Sequence, residues 1–417
     1  MISPNFPKKA DGSDNTLVRS FSDSGNIGTA WLLRCNGAYR HESIADLLAD
    51  FCVSVLAPEL KVTRAYCFIR TLHPQVYATH YTWTTFEESV LEVNAPFGVI
   101  ESDMHLASPC SRIYDGSVSI RRQLEGPNPN LDFPILEDLY RLGTTDYLAM
   151  PFRFADGQVN IFSIATDNPG GFTDEDLSHV GEMVPVLSLK LECLERHRIT
   201  STLLRTYLGS KTGTQVLNGQ VRLGDVEQLN AVILFCDLRN STRLSLQMEP
   251  TNYLRFLNAF FGCVATAIQD HGGEILRFVG DAVLAIFPIG NEKHLKKKQA
   301  SYICNQALEA AISADHNFNR LNANDLKVDA ESLGYGLALH IGKVMYGNIG
   351  IPGRQEFTVI GKAVNEAAKI ESLTKKISCR LLLSADFAQH IDRTLTPMGF
   401  TNIVGSQDAE PIFTLVD

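Results

Sequence analysis

Asp237 and Asp281 each stand where a short apolar run meets a turn. Asp237 closes AVILFC, and Asp281 follows a glycine at the tip of the hairpin pattern in GGEILRFVGDAVLAIF. Two carboxylates at neighbouring strand ends supply hard oxygen donors, the type that Mg²⁺ and Mn²⁺ prefer, and a pair of such cations can hold a triphosphate for chemistry. Taken singly, an acid at a strand end or in a Gly-Asp turn is ordinary turn chemistry. The elements that carry the two acids therefore decide what they mean.

The run before Asp237 predicts a strand over residues 231–236. A helix over 251–270 follows, with Leu254, Leu257, Phe261, Val264 and Ile268 spaced by three and four, and Gly272 and Gly273 ending it. Next come a hairpin over 274–287, a helix over 297–321, strands over 334–341 and 357–360, a helix over 362–374, and strands near Leu381 and Phe413. The β-α-β-β-α-β order gives a ferredoxin-like α+β layout, with helices covering one face of a mostly antiparallel sheet. Such a fold does not by itself specify a function.

At 417 residues, 45% apolar and 20% charged, the chain has the composition of globular protein and the length for two or three domains. The formal net charge of −10 excludes a general nucleic-acid binder, and the dense basic run Lys296, Lys297, Lys298 reads as a solvated helix face. Nine cysteines with no C-x-x-C spacing predict neither a zinc site nor a disulfide framework, and fit a reducing cytosol. No apolar run approaches the roughly 18–20 residues needed to cross a bilayer, and the opening MISPNFPKKADGSDN is polar rather than a signal peptide. A soluble, cytoplasmic protein without a transmembrane segment is expected.

Upstream of the acids, residues 1–28 read as a flexible leader. HESIADLLADFCVSVLAPEL predicts an amphipathic helix, VTRAYCFIRTL and VYATHYTW predict strands, and 84–145 reads as irregular, with a short helix near LEDLYRLG. DYLAMPFRF and QVNIFSIAT flank an Ala-Asp-Gly turn and form a hairpin, and a long helical pattern with Pro185 as a kink follows. That order over 29–195 resembles a GAF-type sensor domain, with a PAS-like domain as the alternative. It implies a small-molecule or protein signal whose identity the residues do not specify. His73, His80, Cys67 and Trp83 are expected to be core or surface residues rather than ligand contacts. Residues 196–225 read as a helical linker, a natural two-state element between sensor and effector.

The ordered motifs FCDLRNST, GGEILRFVGDAVLAIF, GLALHIGKVMYGNIG and RQEFTVIGKAVNEAAKIE resemble the catalytic domain of class III nucleotidyl cyclases, over 226–417. The VGDAV hairpin lacks the double-glycine signature with consecutive acids of a diguanylate cyclase. The resemblance implies an adenylate cyclase making 3′,5′-cyclic AMP and pyrophosphate from ATP at the interface of a head-to-tail homodimer. It places two Mg²⁺ or Mn²⁺ ions per active site on Asp237 and Asp281, and the triphosphate on Leu238, Arg239, Asn240, Ser241 and Thr242. Arg277 stands where adenylyl enzymes carry Lys and guanylyl enzymes Glu, and a cation suits an adenine ring nitrogen while losing the acidic acceptor that suits guanine. Thr358 matches the second purine-reading position. Asn365 matches the residue that orients the ribose or the transition state, and Lys369 stands four residues on, where the family has an Arg. Lys keeps the charge and loses the guanidinium fork. The alternatives are a degenerate homologue that binds nucleotide or regulates without turnover, and a guanylate cyclase.

Other features carry structural expectations. His340 reads as a strand residue rather than a general base, Gly347 and Gly350 as turn glycines, and Glu366 and Glu371 as an exposed helical face. Arg354 either approaches phosphates or lies on the surface.

Overall fold

The computed structural model describes residue 31 and residues 41–87, 89–290, 297–321, 334–401 and 409–416. The leader expected over 1–28 and Lys296 lie outside them. The chain divides into two compact units, Met1–Leu203 and Leu204–Asp417.

In the first unit, helix α1 (Ile44–Phe51) opens on Ser43, whose hydroxyl accepts the Asp46 N–H at 3.0 Å and so satisfies one of the free amides of the first turn. It runs through a π-helical turn into α2 (Ala57–Leu60), which ends on Lys61 in the left-handed region. The strands are β1 (Val62–Arg70), β2 (Val76–Thr84), β3 (Leu91–Pro96), β4 (Ile120–Gln123), β5 (Asp146–Arg153) and β6 (Val159–Thr166). They form an antiparallel sheet in the order 3-2-1-6-5-4. One face packs Cys67, Tyr81, Trp83 and Phe162 under α1 and the first half of α6 (Asp174–Leu208), which brings in Leu187 and Leu191. The other face packs Phe68, Tyr147 and Ile161 under α4 (Pro109–Tyr114) and α5 (Pro134–Arg141). Residues 84–145 are thus not irregular. They hold β3, the one-turn α3 (Asp103–Leu106), α4, β4 and α5, of which only α5 was expected. Cys67 and Trp83 are buried, and the His73 ring accepts the Gln75 and Val76 N–H groups, so these are structural positions.

Asp146, fully buried at the start of β5, meets the Arg121 guanidinium at 2.6 Å and accepts the Phe172 N–H at 3.1 Å. Gly171 makes that contact feasible, since a Cβ there would lie 2.6 Å from an Asp146 carboxylate oxygen.

The second unit continues through α7 (Ser210–Leu217), β7 (Val226–Leu238), α8 (Ser241–Gln247), α9 (Pro250–Asp270), β8 (Glu274–Val279), β9 (Ala282–Gly290) and α10 (Lys297–Asn319). There follow β10 (Tyr335–Ile351), β11 (Arg354–Ile360), α11 (Lys362–Ile377), β12 (Leu381–Ser384), α12 (Ala385–Ala388), β13 (Leu395–Thr401) and β14 (Glu410–Leu415). The sheet order is 13-14-12-10-7-9-8, with β11 on β10, and its centre 10-7-9-8 is the ferredoxin-like arrangement. Alternation along β7 splits the core. Val232, Leu234 and Cys236 face α9 and α10, whereas Ala231 and Ile233 face Ala363 and Ala367 of α11. The helices therefore cover both faces, with α11 on the side opposite the other two.

Gly347 and Gly350 are not in a turn. They lie inside β10, paired with Thr358 and Gln355 of β11. At Gly347, with φ of +152°, a Cβ would stand 2.1 Å from the Asp225 carbonyl, so close backbone approach demands glycine there. α7 is held by a buried polar cluster. Thr212 donates from N–H (3.1 Å) and hydroxyl (2.7 Å) to the Glu274 carboxylate, which also accepts from Tyr346 Oη at 2.8 Å.

Candidate active site

Asp237 lies one residue from the end of β7, where its backbone pairs with Ala282 of β9 on one side and Gly336 of β10 on the other. Asp281 sits in the turn just before β9, and Gly280, at φ of +64°, allows that turn to be tight. Strand register thus brings together two acids that are 44 positions apart in the chain. The Asp237 carboxyl is pushed up to about 6, first by burial, then by the Asp281 charge and a hydrogen bond to that side chain. Lys375 acts in the opposite direction but is the smallest of the named influences.

A third acid joins them. Glu371 of α11 reaches over Gly336, where a Cβ would come within 2.3 Å of its Oε1. Burial, followed by the Asp237 charge, raises the Glu371 carboxyl to about 7. The expected exposed face for Glu366 and Glu371 is therefore corrected. Glu366 is buried as well, 3.2 Å from the His340 ring and 2.8 Å from Lys362 Nζ. His340 is itself buried, which lowers its basicity, as a structural residue would be. The sequence signal for Glu371 was Gly336, a glycine inside a strand directly opposite Asp237. Asp237 and Asp281 offer only oxygen donors and, among the described residues, neither has an ion-pair partner. Crowded, half-buried carboxylates without a direct ion-pair partner fit a hard divalent cation.

The turn after β7 is more selective than its five residues suggested. The Leu238 N–H is directed at the Asp281 carbonyl at 3.4 Å and toward the Asp237 carboxylate, and the Arg239 N–H at the Gly334 carbonyl at 2.8 Å, so both amides are already engaged. The Arg239 side chain is partly engaged: its Nη2 donates to the Cys379 carbonyl at 2.6 Å, while its Nε is buried with no hydrogen-bond partner among the described residues. Asn240 adopts the left-handed conformation with φ of 58°, turning the chain so that Asn240, Ser241 and Thr242 lead into α8. These three remain as anion-facing candidates.

Arg277 of β8 pairs with Glu356 of β11, which the sequence reading had passed over. Both line a cavity of about 560 Å³ together with Phe278, Gln355, Phe357 and Arg354. Thr358 is 7% exposed, and its hydroxyl oxygen is buried with no hydrogen-bond partner among the described residues. On α11 the buried stripe is Ala363, Glu366, Ala367, Ile370 and Thr374. Asn365 is exposed and Lys369 half-buried, one helical turn apart on another face. The structure thus brings Asp237 and Asp281 together, with Glu371 near enough to feel both charges, and Arg277 to the cavity with Glu356.

Among known proteins, residues 226–394 match the family model for the adenylate and guanylate cyclase catalytic domain. An adenylate cyclase of Anabaena cylindrica is 34% identical over 175 residues, 41% of this chain and 32% of that protein. A terminal-differentiation-specific adenylate cyclase of Dictyostelium discoideum is 28% identical over 202 residues, 47% of this chain and 9% of that protein. The chain spans about a third or less of the length of these two relatives. A solved bacterial light-regulated adenylyl cyclase aligns over 62% of this chain and 83% of its own, at 18% identity and a TM-score of 0.44, a likeness too partial to bear on the assignment. No described helix is long and apolar enough to cross a membrane. Residues 226–394 are thus similar to the adenylate and guanylate cyclase catalytic domain.

Proposed function

We propose that the protein is an adenylate cyclase that converts ATP to 3′,5′-cyclic AMP and pyrophosphate as a head-to-tail homodimer. The observation that carries this reading is the couple Asp237–Asp281, two converging carboxylates with no ion-pair partner among the described residues and Asp237 pushed up to about 6. Such a couple costs stability unless something positive binds it. Mg²⁺ or Mn²⁺, when bound there, supplies Lewis acidity toward the ribose 3′-OH and the α-phosphate.

The chain's own residues do the positioning. Asp237 and Asp281 hold the cations, and the amides of Asn240, Ser241 and Thr242 hold the triphosphate. Arg277 and Thr358 face the base, Asn365 orients the ribose, and Lys369 places a positive charge against the phosphorus as its charge builds. The reaction is an intramolecular displacement, so orientation and charge placement are the main requirements and no covalent intermediate is needed. Asp281 and the base-facing Arg277 sit four residues apart along one hairpin arm and its turn, at most roughly 13 Å at strand rise. A second copy supplying the opposite half accounts for that separation.

The first unit acts in this proposal as a GAF-like sensor, supported by its six-stranded antiparallel sheet with helices on both faces. Lys369 favours one second reading, a homologue that binds nucleotide without useful turnover, because an ammonium cannot present the two parallel donors of a guanidinium. The full chain incubated with Mn²⁺ and ATP separates the two. Cyclic AMP formation that disappears in Asp281→Ala supports the enzyme, and no product above that variant supports the binding protein.

A further inference from the structure

The expectation of adenine rested on Arg277 standing where an acid would serve guanine. An acid is nevertheless present. Glu356 arrives from β11 and pairs with the Arg277 guanidinium through Oε2, leaving its second carboxylate oxygen outside that contact. Both side chains stay accessible, 40% exposed for Arg277 and 43% for Glu356, on the wall of the same 560 Å³ cavity, whose apolar side includes Ile275, Phe278 and Phe357. That volume falls within the roughly 300–1,000 Å³ of small-molecule sites. Thr358 lies two residues along β11 with its hydroxyl oxygen buried, whereas Glu356 lies on the cavity wall itself.

We propose that Glu356 is the acceptor half of the base-reading pair, and that through it the site takes GTP as well as ATP; this rests on the cyclase reading above. A guanidinium and a carboxylate side by side present donors next to an acceptor. Guanine answers both: O6 and N7 accept from Arg277, while N1–H and the N2 amine donate to Glu356. Adenine answers with one ring nitrogen accepting from Arg277 and the N6 amine donating to Glu356. Guanine therefore places two adjacent donors on the carboxylate and adenine one, and losing the acceptor penalises guanine more, because its buried N–H groups are left unpaired.

The test uses the full chain with Mn²⁺ and two nucleotides that cannot cyclise, 3′-deoxy-ATP and 3′-deoxy-GTP, with binding measured at equilibrium for wild type, Glu356→Gln and Glu356→Asp. Expected are wild-type affinities for the two analogues within about 10-fold of each other. Glu356→Gln should weaken the guanine analogue by about 10-fold or more and the adenine analogue by less than about 3-fold, and Glu356→Asp should restore most of the guanine affinity. Equal weakening of both analogues, no change in either, or a wild type that does not bind the guanine analogue overturns the proposal. Cyclic product from ATP and GTP is measured in parallel. If neither nucleotide is turned over but the ratio still follows Glu356, the cyclase reading fails while the base-reading role is supported.

Discussion

Two desolvated aspartates, one in each unit, are handled in opposite ways. Asp146 in the first unit is fully buried and fully answered by the Arg121 guanidinium and the Phe172 N–H, in a niche that Gly171 leaves open. Asp237 in the second unit is less buried, yet it faces a second carboxylate, and its own charge is felt by a third, Glu371. The first arrangement is complete as it stands and holds the entry to α6 against the sheet. The second is incomplete in a narrower sense: like charges are held together by strand register with no ion pair among the described residues, and Lys375 is the smallest of the named influences on Asp237, which in the reading proposed above leaves room for a cation. The contrast lies in whether the chain itself supplies a direct ion-pair partner, and burial alone does not reveal it.

The largest effect should come from removing an acid from the incomplete site. Asp281→Ala is expected to cut Mn²⁺-dependent cyclic AMP formation by at least ~10³-fold, because positioning and charge stabilisation carry the reaction. Activity within 10-fold of wild type would place the cation elsewhere. Breaking the complete site should act on folding instead. Asp146→Ala strands the Arg121 charge and should cost about 3–5 kcal/mol of the first unit's stability. Both tryptophans, Trp31 and Trp83, lie in that unit, so tryptophan fluorescence during urea unfolding reads the loss directly. An unchanged midpoint would mean that the ion pair is dispensable.

Lys369→Arg sharpens the account of the phosphate end. Restoring a forked donor should raise kcat by about 10-fold with little change in KM if that contact limits turnover. A fall in kcat would indicate that the site has adapted to the ammonium. The smallest effect is on the α7 cluster, where Tyr346→Phe removes one donor from buried Glu274 and should lower catalytic-unit stability by about 1–2 kcal/mol, read by hydrogen exchange.

The core of the catalytic unit was legible in the chain because its strands and helices are long enough to show their periods, and the register that joins Asp237 to Asp281 follows from that order. Thr358 was legible as a strand position but not as a buried, unpartnered hydroxyl. Glu371 was misread because helix position alone suggested solvent, while the glycine that admits it is 35 residues away on β10. Glu356 was passed over because its partner Arg277 is on another strand, and cross-strand pairing has no local signal. The same limit explains β10: YGNIG looked like a turn, and only contact with Asp225 shows that Gly347 belongs inside a strand. In the first unit β4, α3 and α4 have four to six residues, too short for a period to appear.

The central claim is that the Asp237–Asp281 couple is kept for a divalent cation, and the pH dependence of metal-induced stabilisation tests it most directly. The folded carboxyl of Asp237, at about 6 against a reference of 3.8, keeps its proton where the unfolded chain has lost it. This group therefore makes the metal-free domain less stable as pH rises from about 4 through 6, and Glu371, at about 7 against 4.5, adds to the trend. Thermal unfolding of the full chain with 3′-deoxy-ATP, with and without Mn²⁺, should show almost no Mn²⁺ effect at pH 5. The catalytic-unit transition should rise by about 5 °C or more at pH 8, with the gain appearing between pH 6 and 7. In Asp281→Asn the metal-free protein should be more stable than wild type at pH 8, and Mn²⁺ should add little. A Mn²⁺ shift that is independent of pH, or that survives intact in Asp281→Asn, would contradict the account.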